Sequence, residues 1–488
     1  MSTPNRRQFI ENSLLGMVAA TAALEGDATG EAGELAPRST SPNEKLGIAV
    51  LGVNQRGTAH IAAYGRRSDV EMLWVVDVDP AVAERAADEI ASRQGRRPNV
   101  TQDLREAYAD PLVDIVSIAT PNHWHALAGI WAMQQGKDVY VEKPVSHNVS
   151  EGRRIVDAAR KYRRICQTGT QSRSMTGIQK AMQHLHEGKL GKVTLARGLC
   201  YKPRPSIGPR GVYPIPRGVD YDLWLGPAEE AAVTRPQFHY DWHWQWPYGN
   251  GDLGNQGVHQ MDVARWGLGL NGLCKSVASF GGRFGYSDAG DTPNTQVVVH
   301  DYGDKALLFE VRGLKTGPYK DALTGVVFEG SEGIMVIAVY NAAVYDLQGK
   351  LIQTFAGGDE SAHFDNFIAA VRSRKPAELN ADIAEGHLSS ALCHLGNISH
   401  RLGEGASPDD ARRRIVSLNH GDVALEAFDR MLQHLAENNV DLKSSNLTYG
   451  ASLDFDPDLE RFINNDRADA LLTREYRGPY VVPGENGI

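Results

Sequence analysis

The sequence predicts an α/β plus α+β protein: an N-terminal doubly wound parallel sheet of the Rossmann type, then a second domain with an open, mostly antiparallel sheet and helices. Three observations lead there. A continuous apolar run over residues 46–53 enters the loop Gly52-Val53-Asn54-Gln55-Arg56-Gly57. Strand-like and helix-like segments then alternate as far as Thr168. From Val193 the alternation stops, and strand-like segments broken by Gly and Pro take over.

Each element has a local reason. An uninterrupted apolar run is the mark of a parallel strand buried on both faces. A helix-like stretch over 58–64 and a second strand over 70–76 follow, ending at Asp77. Helix 80–93, a short strand near Val100, helix 104–109, strand 113–119, helix 124–135, strand 138–141, helix 149–162 and strand 165–168 complete the alternation. Right-handed crossovers of this kind place a ligand across the carboxyl ends of the strands. The organisation expected is a Rossmann domain over 45–170, a substrate domain over 171–360, and C-terminal helices and tail over 361–488 that partly pack back on the first domain.

A chain of 488 residues exceeds what one hydrophobic core usually spans, in line with two domains. Its formal charge of −9 argues against a nucleic-acid partner, since neutralising phosphates needs a basic surface. A small neutral substrate suits it better. Cys166, Cys200, Cys274 and Cys393 include no Cys-x-x-Cys pair, so buried free thiols are expected rather than a metal knuckle or a disulfide framework. Residues 1–23 carry Arg6-Arg7 before Phe9, a mild apolar run over 13–24 and the small-residue sequence Ala20-Thr21-Ala22. They resemble a twin-arginine export signal, too short to span a bilayer, and imply a periplasmic location. Residues 24–44, rich in Gly, Ala, Ser and Pro, read as a linker.

The glycine loop has the chemistry of a dinucleotide site. Gly52 permits a tight strand-to-helix turn, and Gly57 lets the helix approach the strand. The helix N-terminus offers unpaired N–H groups to a pyrophosphate, and Arg56 of the loop is a further cofactor-binding candidate. Asp77 is placed to accept hydrogen bonds from a ribose diol and would repel a 2′-phosphate, so NAD is expected over NADP. Asn54 replaces the middle glycine of the fingerprint and tolerates left-handed backbone. A plain strand–turn–helix without a ligand is the competing reading, but strand, helix, second strand and acid in this order favour the cofactor.

Two later strand ends read Thr120-Pro121-Asn122-His123-Trp124-His125 and Glu142-Lys143-Pro144. With the glycine loop and Asp77, they resemble the Gfo/Idh/MocA family, named for glucose–fructose oxidoreductase and inositol dehydrogenase. The resemblance implies that Thr120, Asn122 and His125 lie along the cofactor, Glu142 near its nicotinamide ribose, and Lys143 over the reacting carbon. A lysine at a strand's carboxyl end faces the ligand crevice, where a lowered pKa lets it take a hydroxyl proton. A solvated lysine paired with Glu142 is the simpler alternative. His123 and His125 have metal-pair spacing but no third ligand nearby, so no metal is expected.

On the substrate side, residues 241–252 interleave Trp242, Trp244 and Trp246 with polar residues. They suit either one face of a strand or a platform for a sugar ring, with Trp244 the candidate contact. Residues 255–266 read as one helix with Asn255, His259 and Asp262 on a shared face. That helix resembles the family's Asp-x-x-x-His substrate helix, which makes His259 the catalytic histidine. Asn255 stands where the family has aspartate; an amide holds a hydroxyl but cannot exchange protons. Either Lys143 and His259 suffice, or another acid such as Asp252 substitutes. The broad sheet suggests a homo-oligomer. The expected function is hydride transfer between NAD and a secondary alcohol of a sugar or polyol. An NAD-dependent glycosidase or lyase working through transient sugar oxidation is the alternative, and a non-catalytic ligand binder the third.

Overall fold

The computed structural model describes residues 45–442 and 447–488; the export-signal and linker readings over 1–44 lie outside the described residues. Strands β1 (Leu46–Leu51), β2 (Val70–Val76), β3 (Asn99–Thr101), β4 (Ile115–Ile118), β5 (Asp138–Val141) and β6 (Cys166–Thr168) form a six-stranded sheet, all pairs parallel, in the order β3-β2-β1-β4-β5-β6. That order reverses direction between β1 and β4, which is where a doubly wound sheet opens its ligand crevice.

β1 divides its side chains by the two-residue period of a strand. Ile48 and Val50 pack on one face with Ile61 and Ile90, and with Phe364 and Phe367 from the helix Ser361–Ser373. Ala49 and Leu51 pack on the other face with Leu127 and Ile155. The helices are capped in ways the sequence explains. Asp79 accepts from the Ala81 and Val82 N–H groups ahead of helix Pro80–Gln94, which ends at Gly95 in the left-handed region (φ 75°). Asn148 caps Val149–Lys161 through Glu151 N–H at 2.9 Å.

The second sheet holds β7 (Val193–Tyr201), β8 (Ser276–Gly282), β9 (Thr295–Asp301), β10 (Ala306–Arg312), β11 (Thr324–Gly330), β12 (Ile334–Ala338), β13 (Asn341–Tyr345) and β14 (Leu351–Phe355) in the order β14-β13-β12-β11-β7-β10-β9-β8. Only β7 and β10 among these run parallel. One face packs on helices Thr176–His186, Gly257–Leu268 and Ile383–Arg401. Part of the other face is covered by helices Pro408–Val416 and Gly421–Glu437, through Phe280, Val297 and Leu308 against Ile415, Phe428 and Met431. The tail returns to the first domain, where Tyr480, Val482 and Ile488 join the core beside Trp124. All four cysteines are buried and free. No helix among the described residues is long and apolar enough to cross a membrane.

One predicted element is divided. The helix expected over 255–266 is two: Gly251–Asn255 and Gly257–Leu268. A continuous helix would send the His259 N–H to the Asn255 carbonyl. Instead it donates to Gln256 O at 3.2 Å, and the Asn255 carbonyl accepts from Lys143 Nζ at 2.5 Å. A long-range ammonium has taken the acceptor that would have joined the two turns.

Candidate active site

The tips of β1, β4 and β5 open into a crevice of about 310 Å3, whose far walls come from the 223–243 segment and from Asn255 and His259. Gly52, Asn54, Arg56, Asp77, Thr120, Asn122, His125, Glu142 and Lys143 all line it.

At the glycine loop, Gly52 has φ +71°, and a Cβ there would lie 2.7 Å from the Ala119 carbonyl oxygen and the Thr120 nitrogen. A Cβ on Gly57 would lie 2.0 Å from the Gly52 carbonyl oxygen. The loop is thus built for glycine at both ends. Its non-glycine residue of positive φ is Gln55 (φ 45°), not Asn54 as the sequence suggested. Gln55 makes no side-chain cap; the Gly57 and Thr58 N–H groups fold back on the Asn54 and Gln55 carbonyls at 3.2 and 3.0 Å, which leaves the Arg56 N–H at the start of helix Arg56–Tyr64 available to a phosphate. Asp77 accepts from Val53 N and Asp79 N, each at 3.0 Å, and burial pushes its pKa up. Two buried polar atoms of the crevice, Arg56 Nη2 and Thr120 Oγ1, have no protein partner among the described residues. A glycine cradle, a helix start with no side-chain cap, an acid at the second strand tip and orphaned polar atoms all fit NAD.

Glu142 sits at the centre of a buried network. Its Oε1 accepts from Arg56 Nε at 2.8 Å and Gln171 Nε2 at 3.1 Å, and lies 3.2 Å from His60 Nε2. Burial alone would raise this carboxyl, but Arg56, His60 and Lys143 hold it well below the usual range. Arg56 also pairs with Glu360 at 2.8 Å, which accepts from Tyr340 Oη at 2.8 Å. The glycine loop is thereby fastened to the second domain.

Lys143 lies against the Asn255 carbonyl. Withdrawal from water, helped by the charges of Arg56 and Lys202, lowers its pKa to about 8 even though Glu142 pulls the other way. His259 is pushed to about 3 by burial and by the Lys143 charge, so its ring is neutral at physiological pH. His125 braces the two loops: its Nδ1 lies 2.5 Å from Pro144 O and its Nε2 2.7 Å from Thr120 O. Asn122 donates to Asn250 Oδ1 at 3.0 Å.

Three expected substrate contacts lie elsewhere. Trp244 is buried with Ile207 and Ala289, beneath the Arg204 guanidinium, and does not line the crevice. Asp252 is buried in an ion pair with Arg204 at 2.9 Å and is no substitute acid for the crevice. Asp262 faces away, pairing with Arg173 at 2.8 Å and accepting from Ser389 Oγ at 2.9 Å. The tryptophan segment is neither strand nor flat platform, because Asp241–Trp244 is a 3-10 turn that sends alternate residues in different directions. Trp242 and His243 face the crevice, stacked at 3.7 Å. His243 Nδ1 is held by the Tyr240 carbonyl at 2.6 Å, leaving Nε2 as an acceptor. Sequence reasoning missed His243 although it singled out this segment; the signal was the polar residue between the tryptophans.

Comparison with known proteins agrees with this architecture. Residues 46–170 match the family model "Oxidoreductase family, NAD-binding Rossmann fold", and residues 207–434 match "Oxidoreductase family, C-terminal alpha/beta domain". An alpha-N-acetylgalactosaminidase of Shewanella oneidensis is 29% identical over 183 residues, 34% of this chain and 39% of that protein. A glycosyl hydrolase family 109 protein of Shewanella woodyi is 34% identical over 123 residues, 24% of this chain and 26% of that protein. The matches thus span well under half of those curated relatives. Among solved structures, the WlbA dehydrogenase of Bordetella pertussis, in complex with NADH and UDP-GlcNAcA, shares the fold with a TM-score of 0.54 and 20% identity, over 73% of this chain and 97% of that one. A levoglucosan dehydrogenase, in complex with NADH and levoglucosan, does so with a TM-score of 0.56 and 18% identity, over 72% and 96%. From the glycine loop through the Glu142-Lys143-Pro144 tip to the mixed sheet behind it, the chain belongs to the Gfo/Idh/MocA oxidoreductase family and has an NAD-binding Rossmann domain.

Proposed function

We propose that the protein uses NAD to exchange a hydride with a secondary alcohol of a sugar, polyol or sugar derivative. The observation that carries this reading is Lys143, an amine with a pKa near 8 in the same crevice as the glycine loop and the two neutral imidazoles of His259 and His243. NAD, held by the glycine loop and Asp77, supplies the hydride acceptor when bound. Lys143 in its neutral form takes the proton of the reacting hydroxyl, and the Asn255 carbonyl aims its Nζ. Here a backbone oxygen does the positioning, so the amide side chain in the family's aspartate position is no obstacle. His259, neutral, holds a neighbouring hydroxyl by hydrogen bonding rather than by charge. Fixing alcohol and cofactor in one crevice supplies much of the acceleration.

A second reading, glycoside cleavage through transient oxidation, is supported by the curated relatives and by His243. That imidazole, with Nδ1–H donated to the Tyr240 carbonyl, presents a hydrogen-bond acceptor beyond what alcohol oxidation needs. One experiment separates the readings: a panel of sugars and glycosides incubated with the as-purified protein. A dehydrogenase accumulates NADH in a single turnover, whereas a redox-assisted glycosidase returns to NAD and releases the aglycone. A Lys143→Ala variant that turns substrate over at the parent rate would remove Lys143 from the chemistry of both, and saturable binding with no turnover of any compound in the panel would leave a ligand binder.

A further inference from the structure

Behind the Lys143 loop lies a second cavity of about 380 Å3 that shares no lining residue with the cofactor crevice. We propose that it is a separate binding site for a small hydroxylated anion, a sugar acid or a sugar phosphate.

Two guanidiniums supply the charge. Arg401 stacks over the Trp246 ring at 5.5 Å from its centroid, and Arg474 donates only to the Pro247 carbonyl at 2.9 Å and toward His147 Nδ1 at 3.3 Å. Neither forms an ion pair with an acid among the described residues, although they lie near enough for the charge of Arg474 to disfavour that of Arg401. Two like charges lining one cavity, offset only from beyond ion-pair distance by Asp291 for Arg401 and by Glu151 for Arg474, are stabilised by an anion bridging them. Glu229 and Glu475 also line the cavity, but both are exposed and neither reaches a guanidinium.

The buried lining asks for hydroxyl groups as well. His394 is 3% exposed and Asn397 4%, and His394 Nδ1 and Asn397 Oδ1 have no hydrogen-bond partner among the described residues. Leaving buried polar atoms unpaired costs about 1–3 kcal/mol each. A hydroxyl both donates and accepts, so it satisfies either atom. An anion without hydroxyls would leave the Asn397 oxygen unanswered, and a neutral sugar would leave the two guanidiniums so.

The site is wired to the first one. Asn397 Nδ2 donates to the Asn250 carbonyl at 3.0 Å, and Asn250 Oδ1 accepts from Asn122 of the cofactor crevice, also at 3.0 Å. His147, in the second cavity, lies on the same loop as Lys143.

The test is calorimetric titration of the full-length, NAD-loaded protein with gluconate, glucose 6-phosphate and glucose, repeated on Arg401→Gln. Arg401 is exposed and makes no hydrogen bond among the described residues, so the variant folds, and unchanged NAD content verifies it. The expected result is saturable binding of at least one anion, weakened about tenfold or more in Arg401→Gln, with glucose at least about tenfold weaker in the parent. Gluconate alone would identify a carboxylate site, glucose 6-phosphate alone a phosphate site. Saturation by neither anion, glucose binding as tightly as the anions, or an anion affinity untouched by Arg401→Gln overturns the proposal.

Discussion

If Lys143 is the proton acceptor, alcohol oxidation must follow the fraction of its amine that is neutral. Moving that pKa from 10.5 to about 8 makes neutral lysine roughly 300-fold more abundant at pH 7, equivalent to roughly 3 kcal/mol. The sign is fixed: a neutral base is consumed by protonation, so kcat/KM for oxidation should fall about tenfold per unit below about pH 8 and level off above it. His259 and His243, both near 3, contribute no limb close to neutrality. The perturbation is Lys143→Arg, which keeps a cation near the Asn255 carbonyl but never releases its proton. It should lower kcat for oxidation by about 10²–10⁴ with NAD affinity changed little. The assay is initial-rate NADH formation across pH with the best substrate of the panel, alongside NAD titration by fluorescence. A flat parent profile from about pH 6 to about pH 9, or an arginine variant retaining the same limb, would sink the assignment of the base.

Other substitutions separate the parts of the site. Asp77→Asn should weaken NAD about tenfold in direct titration and narrow its preference over NADP, because an amide no longer repels a 2′-phosphate. Gly57→Ala forces a methyl against the Gly52 carbonyl, so NAD binding should be lost and thermal stability should fall by about 1–3 kcal/mol. Asp262→Asn should cost about 1–3 kcal/mol in urea denaturation, because Arg173 loses its buried carboxylate but keeps Glu385 at 2.9 Å, with NAD affinity unchanged; a matching loss of affinity would put Asp262 back at the crevice. His243→Phe preserves the stack on Trp242 but removes Nε2; on the glycoside-cleavage reading it should lower aglycone release by about a hundredfold, while NADH formation from an alcohol and NAD retention stay unchanged.

The parallel sheet and its crevice were legible because their signals are local. A strand buried on both faces must read as an apolar run, and a loop that brings Gly57 against the Gly52 carbonyl must carry glycine. What stayed hidden depends on partners far along the chain. The break at Gln256 follows from an ammonium 112 residues away capturing a carbonyl. Asp262 shows helix spacing suited to a site, yet its orientation is decided by Arg173, 89 residues distant. Trp244 and Trp242 are equivalent by alternation, and only the 3-10 turn sends one into the core and the other to the crevice. The bond from Arg56 to Glu360 crosses 304 residues and leaves no local trace.

The segment that crosses from β7 to the first domain has a kinetic consequence. Gly218 O accepts from Gln102 at 3.0 Å, Asp220 N donates to Val78 O at 3.1 Å, and His239 Nε2 lies 3.0 Å from Asp79 Oδ2, around a span that lends Leu223 and Trp224 to the crevice wall. A dinucleotide seated in the crevice is then flanked by a span tied down at three points, and if it leaves past the second strand its residence time should follow the local opening of those bonds rather than free diffusion.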